Sequence, residues 1–145
     1  MKLWTLLKHD HQEVSKLFAQ IKKSDSGDKQ EKLFAKLKGE LELHTKLEET
    51  HLYPVLMKHE ETKDLAKHAR EEHGDVKKLL EEMSGFAVGD DKWTELCRQL
   101  QSGVEEHVEE EEKEMFPAAE EALDKTQIDE IGKKIEEEKQ AAKAG

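Results

Sequence analysis

Apolar residues recur at steps of three and four along most of this chain, the spacing that lays a stripe down one side of an α-helix. The first such segment carries Leu3, Leu7, Val14, Phe18 and Ile21 and stops at "SDSGD", residues 24–28, a run of turn formers and helix caps. The second carries Leu33, Leu37, Leu41, Leu52 and Val55, with His44 and Glu48 set into the same stripe. The third offers Leu65, Ala69, His73, Val76, Leu80 and Met83 and ends at "SGFAVGDD", residues 84–91. The fourth carries Trp93, Leu96, Leu100, Met115 and Ala118, again with a histidine and a glutamate, His107 and Glu111, on the apolar line. Ile128, Ile131 and Ile135 mark a shorter fifth helix over about 124–144. Short connections make consecutive helices antiparallel neighbours. The pattern therefore predicts an all-α, up-down-up-down four-helix bundle over about 2–121, in a single domain spanning 1–145.

Composition agrees with helices and narrows the partners. Only 34% of residues are hydrophobic and 41% are charged, so the chain needs its apolar residues on shared faces to fold at all. It is rich in Leu, Lys, Glu and Ala and poor in β-branched residues, which favours helix over sheet. A net charge of −11 opposes both phosphate backbones and anionic lipid, so neither nucleic acid nor membrane is expected as a partner. The opening "MKLWTLLKHDHQE" turns polar too early for a secretory signal, and no run approaches the roughly 18–20 apolar residues of a membrane span. With the lone Cys97 expected to pack beside Trp93, Leu96 and Leu100, these features point to a cytoplasmic protein, monomeric or a weak homo-oligomer.

The polar residues on the apolar stripes repeat. "HTKLEETHLYP" from His44 and "HVEEEEKEMFP" from His107 share the histidine, two adjacent glutamates, an apolar residue, an aromatic and the proline in register. "HQEVSKLF" from His11 and "HGDVKKLL" from His73 match in the same way. Each half of the chain is then a helical hairpin that supplies one histidine from its first helix and a His-x-x-x-Glu from its second. Counted from the intervening turns, the four histidines lie at heights that differ by about four residues, roughly 6 Å along a helix, within reach of side chains. The pairs His9/Glu13 and His68/Glu72 have the same spacing but fall on polar lines, and are expected at the surface.

Four imidazoles and two carboxylates buried together are costly without a counter-charge. A metal ion removes that cost. Nitrogen and oxygen donors without cysteine suit a first-row metal other than structural zinc, and two facing carboxylates in a helical bundle can bridge two ions.

The His11 segment, His44-x-x-x-Glu48-Glu49 before Leu-Tyr-Pro, the "EEH" ending at His73, and His107-x-x-x-Glu111-Glu112 before Met-Phe-Pro resemble the hemerythrin-like, HHE cation-binding family over residues 3 to about 120. That resemblance implies a non-haem centre of two iron ions, bridged by carboxylates and an oxo or hydroxo group, with an open position for O₂ or a related ligand. Its metal ligands would be His11, His44, Glu48, His73, His107 and Glu111. The chain departs from the oxygen-carrying members at Lys77, where they have a further histidine, and in placing Glu111 rather than Glu112 as the last carboxylate ligand. It is more similar to bacterial or sensor-type members. His51 or a carboxylate such as Glu72 or Glu112 is the expected substitute for the missing ligand.

Three functions follow: binding of O₂, nitric oxide or peroxide for storage, delivery or sensing; redox turnover of peroxide or nitric oxide at the same centre; or a metal-stabilised or metal-free helical interaction module. The first is the primary expectation.

Overall fold

A computed structural model describes residues 2–144, and among these all regular structure is helical. Helix α1 is Leu3–Lys23. Helix α2 covers residues 27–56 as an α-helix, Gly27–Leu47, a π-helical turn, Glu48–Leu52, and a last α-helical turn, Tyr53–Leu56. Helix α3 is Glu60–Met83. Helix α4 covers residues 91–122 in the same three-part form: Asp91–Glu110, the π-helical turn Glu111–Met115, and Phe116–Ala122. Helix α5 is Lys125–Ala144.

The turn chemistry is that of the sequence. Ser26 caps α2 by accepting from the Lys29 backbone N–H at 3.4 Å. Asp124 and Gln127 cap α5 reciprocally: each side chain accepts from the other's backbone N–H, at 2.8 and 3.2 Å. Gly89, in the loop before α4, has φ +93°, a conformation that a side chain disfavours.

The four long helices alternate in direction, with α1 against α2 and α3 against α4 forming the two most extensive pairings. Helix α5, expected to be shorter, is 20 residues against 21 in α1. It lies along α1 and the end of α2. The approach is close, since a Cβ at Gly132 would stand 3.3 Å from the Leu3 backbone nitrogen.

Apolar burial falls into two clusters. One gathers Leu3, Leu7, Leu52, Leu56, Ala66, Met115, Phe116 and Ile131; the other gathers Val14, Phe18, Leu37, Leu41, Val76, Trp93, Leu96 and Leu100. Cys97 is buried in the second, beside Trp93, as its neighbours in sequence imply. Each long helix crosses from one cluster to the other, and at each crossing it places a histidine. The polar layer is thus sandwiched between two apolar ones.

The expected core stripes hold through Leu52 and Met115 and then slip by one residue. Beyond Leu52 the buried position is Leu56 rather than Val55, and beyond Met115 it is Ala119 rather than Ala118. The π-helical turns are the cause. The backbone N–H of Tyr53 bonds to the carbonyl of Glu48, and that of Phe116 to Glu111, five residues back instead of four. Each turn is followed by a proline, Pro54 or Pro117, which has no N–H and whose ring crowds the preceding turn. One extra residue in that turn relieves the crowding and rotates the remainder of the helix. In α3, Ala66 rather than Leu65 is the fully buried neighbour.

Candidate metal centre

The fold brings all six expected residues together. His11, His44, Glu48, His73, His107 and Glu111 are each no more than 7% exposed. They form two groups that share both glutamates, His11/His44/Glu48/Glu111 and Glu48/His73/His107/Glu111, and within each group one donor atom per residue lies within 4.8 Å of every other. Each hairpin supplies one histidine pair.

The inward atoms are the Nε2 nitrogens. His11 Nε2 stands 3.2 Å from Glu111 Oε1, and His107 Nε2 is 3.4 Å from Glu111 Oε2, so this carboxylate spans the two groups with its two oxygens. His44 and His73 Nε2 approach Glu48 Oε1 at 3.2 and 3.3 Å. Several of these contacts are close without being aligned as hydrogen bonds. His11 Nε2, His44 Nε2, Glu48 Oε2 and Glu111 Oε1 are buried polar atoms with no hydrogen-bond partner. Buried donors and acceptors are nearly always satisfied, and four orphans directed at one space are what a bound cation would satisfy.

The outward atoms are all held. His11 Nδ1 lies 2.7 Å from Glu112, His73 Nδ1 2.7 Å from Glu49, His107 Nδ1 2.7 Å from Glu72 and His44 Nδ1 3.0 Å from Asp10. A carboxylate behind an imidazole fixes the Nδ1–H tautomer and leaves the Nε2 lone pair free for a metal. These partners obey the repeat. The residue before the first-helix histidine, Asp10 or Glu72, holds the second-helix histidine of the same hairpin; the residue after the spanning glutamate, Glu49 or Glu112, holds the first-helix histidine of the other hairpin.

Tyr53 closes one side of the layer. Its buried hydroxyl donates to Glu111 Oε2 at 2.6 Å and also lies 3.1 Å from Glu48 Oε1 and 3.2 Å from His73 Nε2. The π-helical turn puts it there. A small cavity of about 30 Å³ lies on the other side, walled by the four imidazoles and by Val14, Leu41, Val76, Val104 and Val108.

Without a metal, the neighbouring charges shift several of these groups. Burial disfavours a charged His44, yet Glu48 beside it and Asp10 behind it raise its pKa well above the ordinary value. Burial is likewise outweighed at His107 by Glu111 and Glu72, which push it up to about 10. Against burial, His44 and His73 hold Glu48 well below the usual carboxylate range. Burial and the two glutamates push the Tyr53 phenol upward, so it stays protonated.

The remaining candidates stand outside this layer. His51, expected one turn beyond Glu48 on the core stripe, is turned aside by the π-helical turn, and its Nε2 lies 2.9 Å from Glu138 of α5. Glu72 and Glu112 face the outer nitrogens of His107 and His11 and belong to neither inner group. Lys77 is 61% exposed. His9/Glu13 is an exposed pair 3.8 Å apart, as expected. His68 is exposed too, near Glu72 and Glu110, but Glu72 is no mere surface partner because it also orients His107.

The model of the hemerythrin HHE cation binding domain matches residues 2–119. The chain belongs to that family. A solved hemerythrin HHE cation binding domain-containing protein from Mycobacterium kansasii has the same fold, with a TM-score of 0.83 at 24% identity over 95% of this chain and 85% of its own. A DNA nickase from Nostoc sp. is 27% identical over 118 residues, which are 81% of this chain and 33% of the nickase. The chain thus spans about a third of the length of that curated relative. Helix α5 lies beyond the span that the HHE family model matches. Its Lys139, together with Asp10, Glu49 and Tyr53, completes the surroundings of the HHE centre and was not singled out by the sequence pattern. Asp10 and Glu49 were readable as acidic neighbours of repeated residues, and Tyr53 as the aromatic between the spanning glutamate and Pro54. No signal pointed to Lys139.

Proposed function

We propose that this chain holds two iron ions, one between His11 and His44 and one between His73 and His107, bridged by Glu48 and Glu111, and that it binds O₂ or a related small ligand such as nitric oxide or peroxide. The observation that carries this reading is the pair of four-residue groups sharing both glutamates. Such an ion pair, when bound, would supply exchangeable positions for a small ligand and a change of oxidation state.

The residues around it do the rest. The Nδ1 carboxylates hold each imidazole in one orientation, so little reordering accompanies binding. The valine-lined cavity has room for about one or two small molecules of water size, which suits a diatomic and excludes larger substrates. Its apolar wall favours neutral ligands over ions. The opposite face carries the Tyr53 hydroxyl, a proton donor in contact with both spanning carboxylates. That phenol favours a second reading, turnover of peroxide, in which Tyr53 delivers a proton to the ligand side through Glu111. The acidic surface, with 35 Asp and Glu against 24 Lys and Arg, supports no transaction on DNA of the kind named for the Nostoc relative. Among the described residues no helix is long and apolar enough to cross a membrane, and the proposed setting is the cytoplasm.

Metal analysis of chain purified without chelators tests the first part, with two irons per chain expected. Visible spectra of the reduced protein before and after O₂ test the second. A band that appears with O₂ and is lost under vacuum supports reversible binding, sustained loss of added peroxide supports turnover, and uptake of no transition metal by folded chain would refute both.

A further inference from the structure

The supporting carboxylates follow the repeat in all four places, but only one of them is buried and bound to a cation. Glu112, Glu49 and Glu72 have side chains 34%, 26% and 18% exposed. Asp10, the counterpart of Glu72, is 5% exposed. Its Oδ2 holds His44 Nδ1, and its Oδ1 accepts from Nζ of Lys139, itself buried. Lysine is rarely buried unless paired, and this one comes from α5, which has no counterpart in the repeat and lies outside the family match. The cations near two of the others are weaker. Lys77 stands 4.0 Å from Glu49 and is 61% exposed, and Glu72 has the exposed His68 beside it together with the acidic Glu110.

We propose that Lys139 is a positioning residue through which α5 makes the two metal positions unequal, weakening the hold of the His11/His44 position on its ion relative to the His73/His107 position. The inference rests on the two-ion reading above. A carboxylate shared with an ammonium group draws less strongly on the imidazole N–H behind which it sits, so His44 Nε2 donates less to a metal than His107 Nε2 does. The ammonium charge also repels a cation bound nearby, and in a buried setting that repulsion is poorly screened. Both effects act on one side of the pseudo-twofold axis. Glu138, the residue before Lys139, stands 2.9 Å from His51 Nε2 of the α2 π-helical turn, so α5 approaches the hairpin at two adjacent residues.

The test is a titration with Co²⁺ alone, followed by its visible absorption, on wild type, Lys139→Met, Lys139→Gln, Lys139→Arg and Lys143→Ala. Lys143 is the control, an α5 cation paired at the surface with Glu40. Wild type is expected to fill in two unequal steps. In Lys139→Met and Lys139→Gln the weaker step tightens on the order of tenfold, the scale of changes behind a metal-bound histidine, while the stronger step moves by less than about twofold. Lys139→Arg restores the wild-type pattern and Lys143→Ala keeps it. A merely structural lysine would weaken both steps together or lower stability alone. Lys139→Gln keeps a donor to Asp10 and guards against loss of folding in Lys139→Met. Equal steps in wild type, unchanged steps in Lys139→Gln, or parallel shifts of both steps would overturn the proposal. Wild type taking up fewer than two ions would instead overturn the two-ion reading on which it rests.

Discussion

The Tyr53 hydroxyl reaches across the bundle to Glu111 at 2.6 Å, tying the last turn of α2 to the spanning carboxylate of α4. The repeat places Phe116 at the position of Tyr53, so one hairpin carries a hydroxyl where the other carries a plain ring. Tyr53→Phe should therefore fold. Its cost is a buried carboxylate deprived of its donor, about 1–3 kcal/mol, read as a lower melting temperature of the metal-free chain. Metal stoichiometry should stay at two per chain. Under the turnover reading, peroxide loss slows while O₂ spectra persist; equal slowing in Tyr53→Phe and wild type on titrating pH would remove Tyr53 from proton delivery.

The sharing of Glu48 and Glu111 between both groups makes their loss different in kind from the loss of a histidine. His44→Ala should leave the His73/His107 position able to bind, and a folded variant is expected to retain about one ion. Glu48→Ala combined with Glu111→Ala removes a bridging group from both positions and should abolish tight uptake altogether. Metal analysis of the dialysed variants, with helicity checked by circular dichroism, distinguishes the outcomes. Retention of two ions in the double variant would exclude the bridged arrangement.

The six central residues were legible because the repeat doubles the signal: His44 and His107 each stand on an apolar line where a lone polar residue would be unremarkable. The supporting ring was half legible, since Asp10, Glu49, Glu72 and Glu112 are each the acidic neighbour of a repeated residue, yet acidic residues are so frequent here that adjacency alone selects nothing. His51 was misplaced, and Tyr53 overlooked, for one reason. Periodic reading assumes 3.6 residues per turn, and the wider turn before Pro54 moves every later side chain by one position. Proline within an apolar stripe was the available clue. Lys139 lies beyond such reading, because its partner Asp10 is 129 residues away and is reached only through the docking of α5.

Protons and metal compete for the same atoms, which fixes a pH dependence. His44 and His107 have raised pKa values in the folded, metal-free chain, so the stability they contribute is fully present below their unfolded value of about 6.5. That contribution is lost as pH rises toward about 10, the value reached by His107. Glu48 is shifted the other way, and its contribution is present above about 4.5 and lost as pH falls. The metal-free chain should be most stable between these limits, with melting temperature falling by several degrees from pH 6.5 to 9, as expected when about 1 kcal/mol or more is lost from a domain of this length. Metal uptake must displace the imidazole protons. Its affinity should rise about tenfold per pH unit for each proton released, and proton release should be measurable in weak buffer. Uptake without proton release would mean that the imidazoles are neutral in the metal-free chain.

The cavity beside the imidazoles offers a way to separate ligand entry from metal binding. Val104 lines it from α4, one turn before His107, and is none of the candidate donor residues. Val104→Leu extends the side chain into a space of about 30 Å³, little more than a small ligand needs. Overfilling a packed site of this kind costs about 1–3 kcal/mol when the neighbours have to give way. Two ions per chain should still bind, because the six donor residues are unchanged. Binding of nitric oxide to the loaded protein, followed in the visible spectrum, should weaken by at least about tenfold, the equivalent of 1.4 kcal/mol. Val104→Ala, which enlarges the same space, should leave affinity unchanged or raise it. If both variants bind the probe as wild type does, ligands enter from another direction.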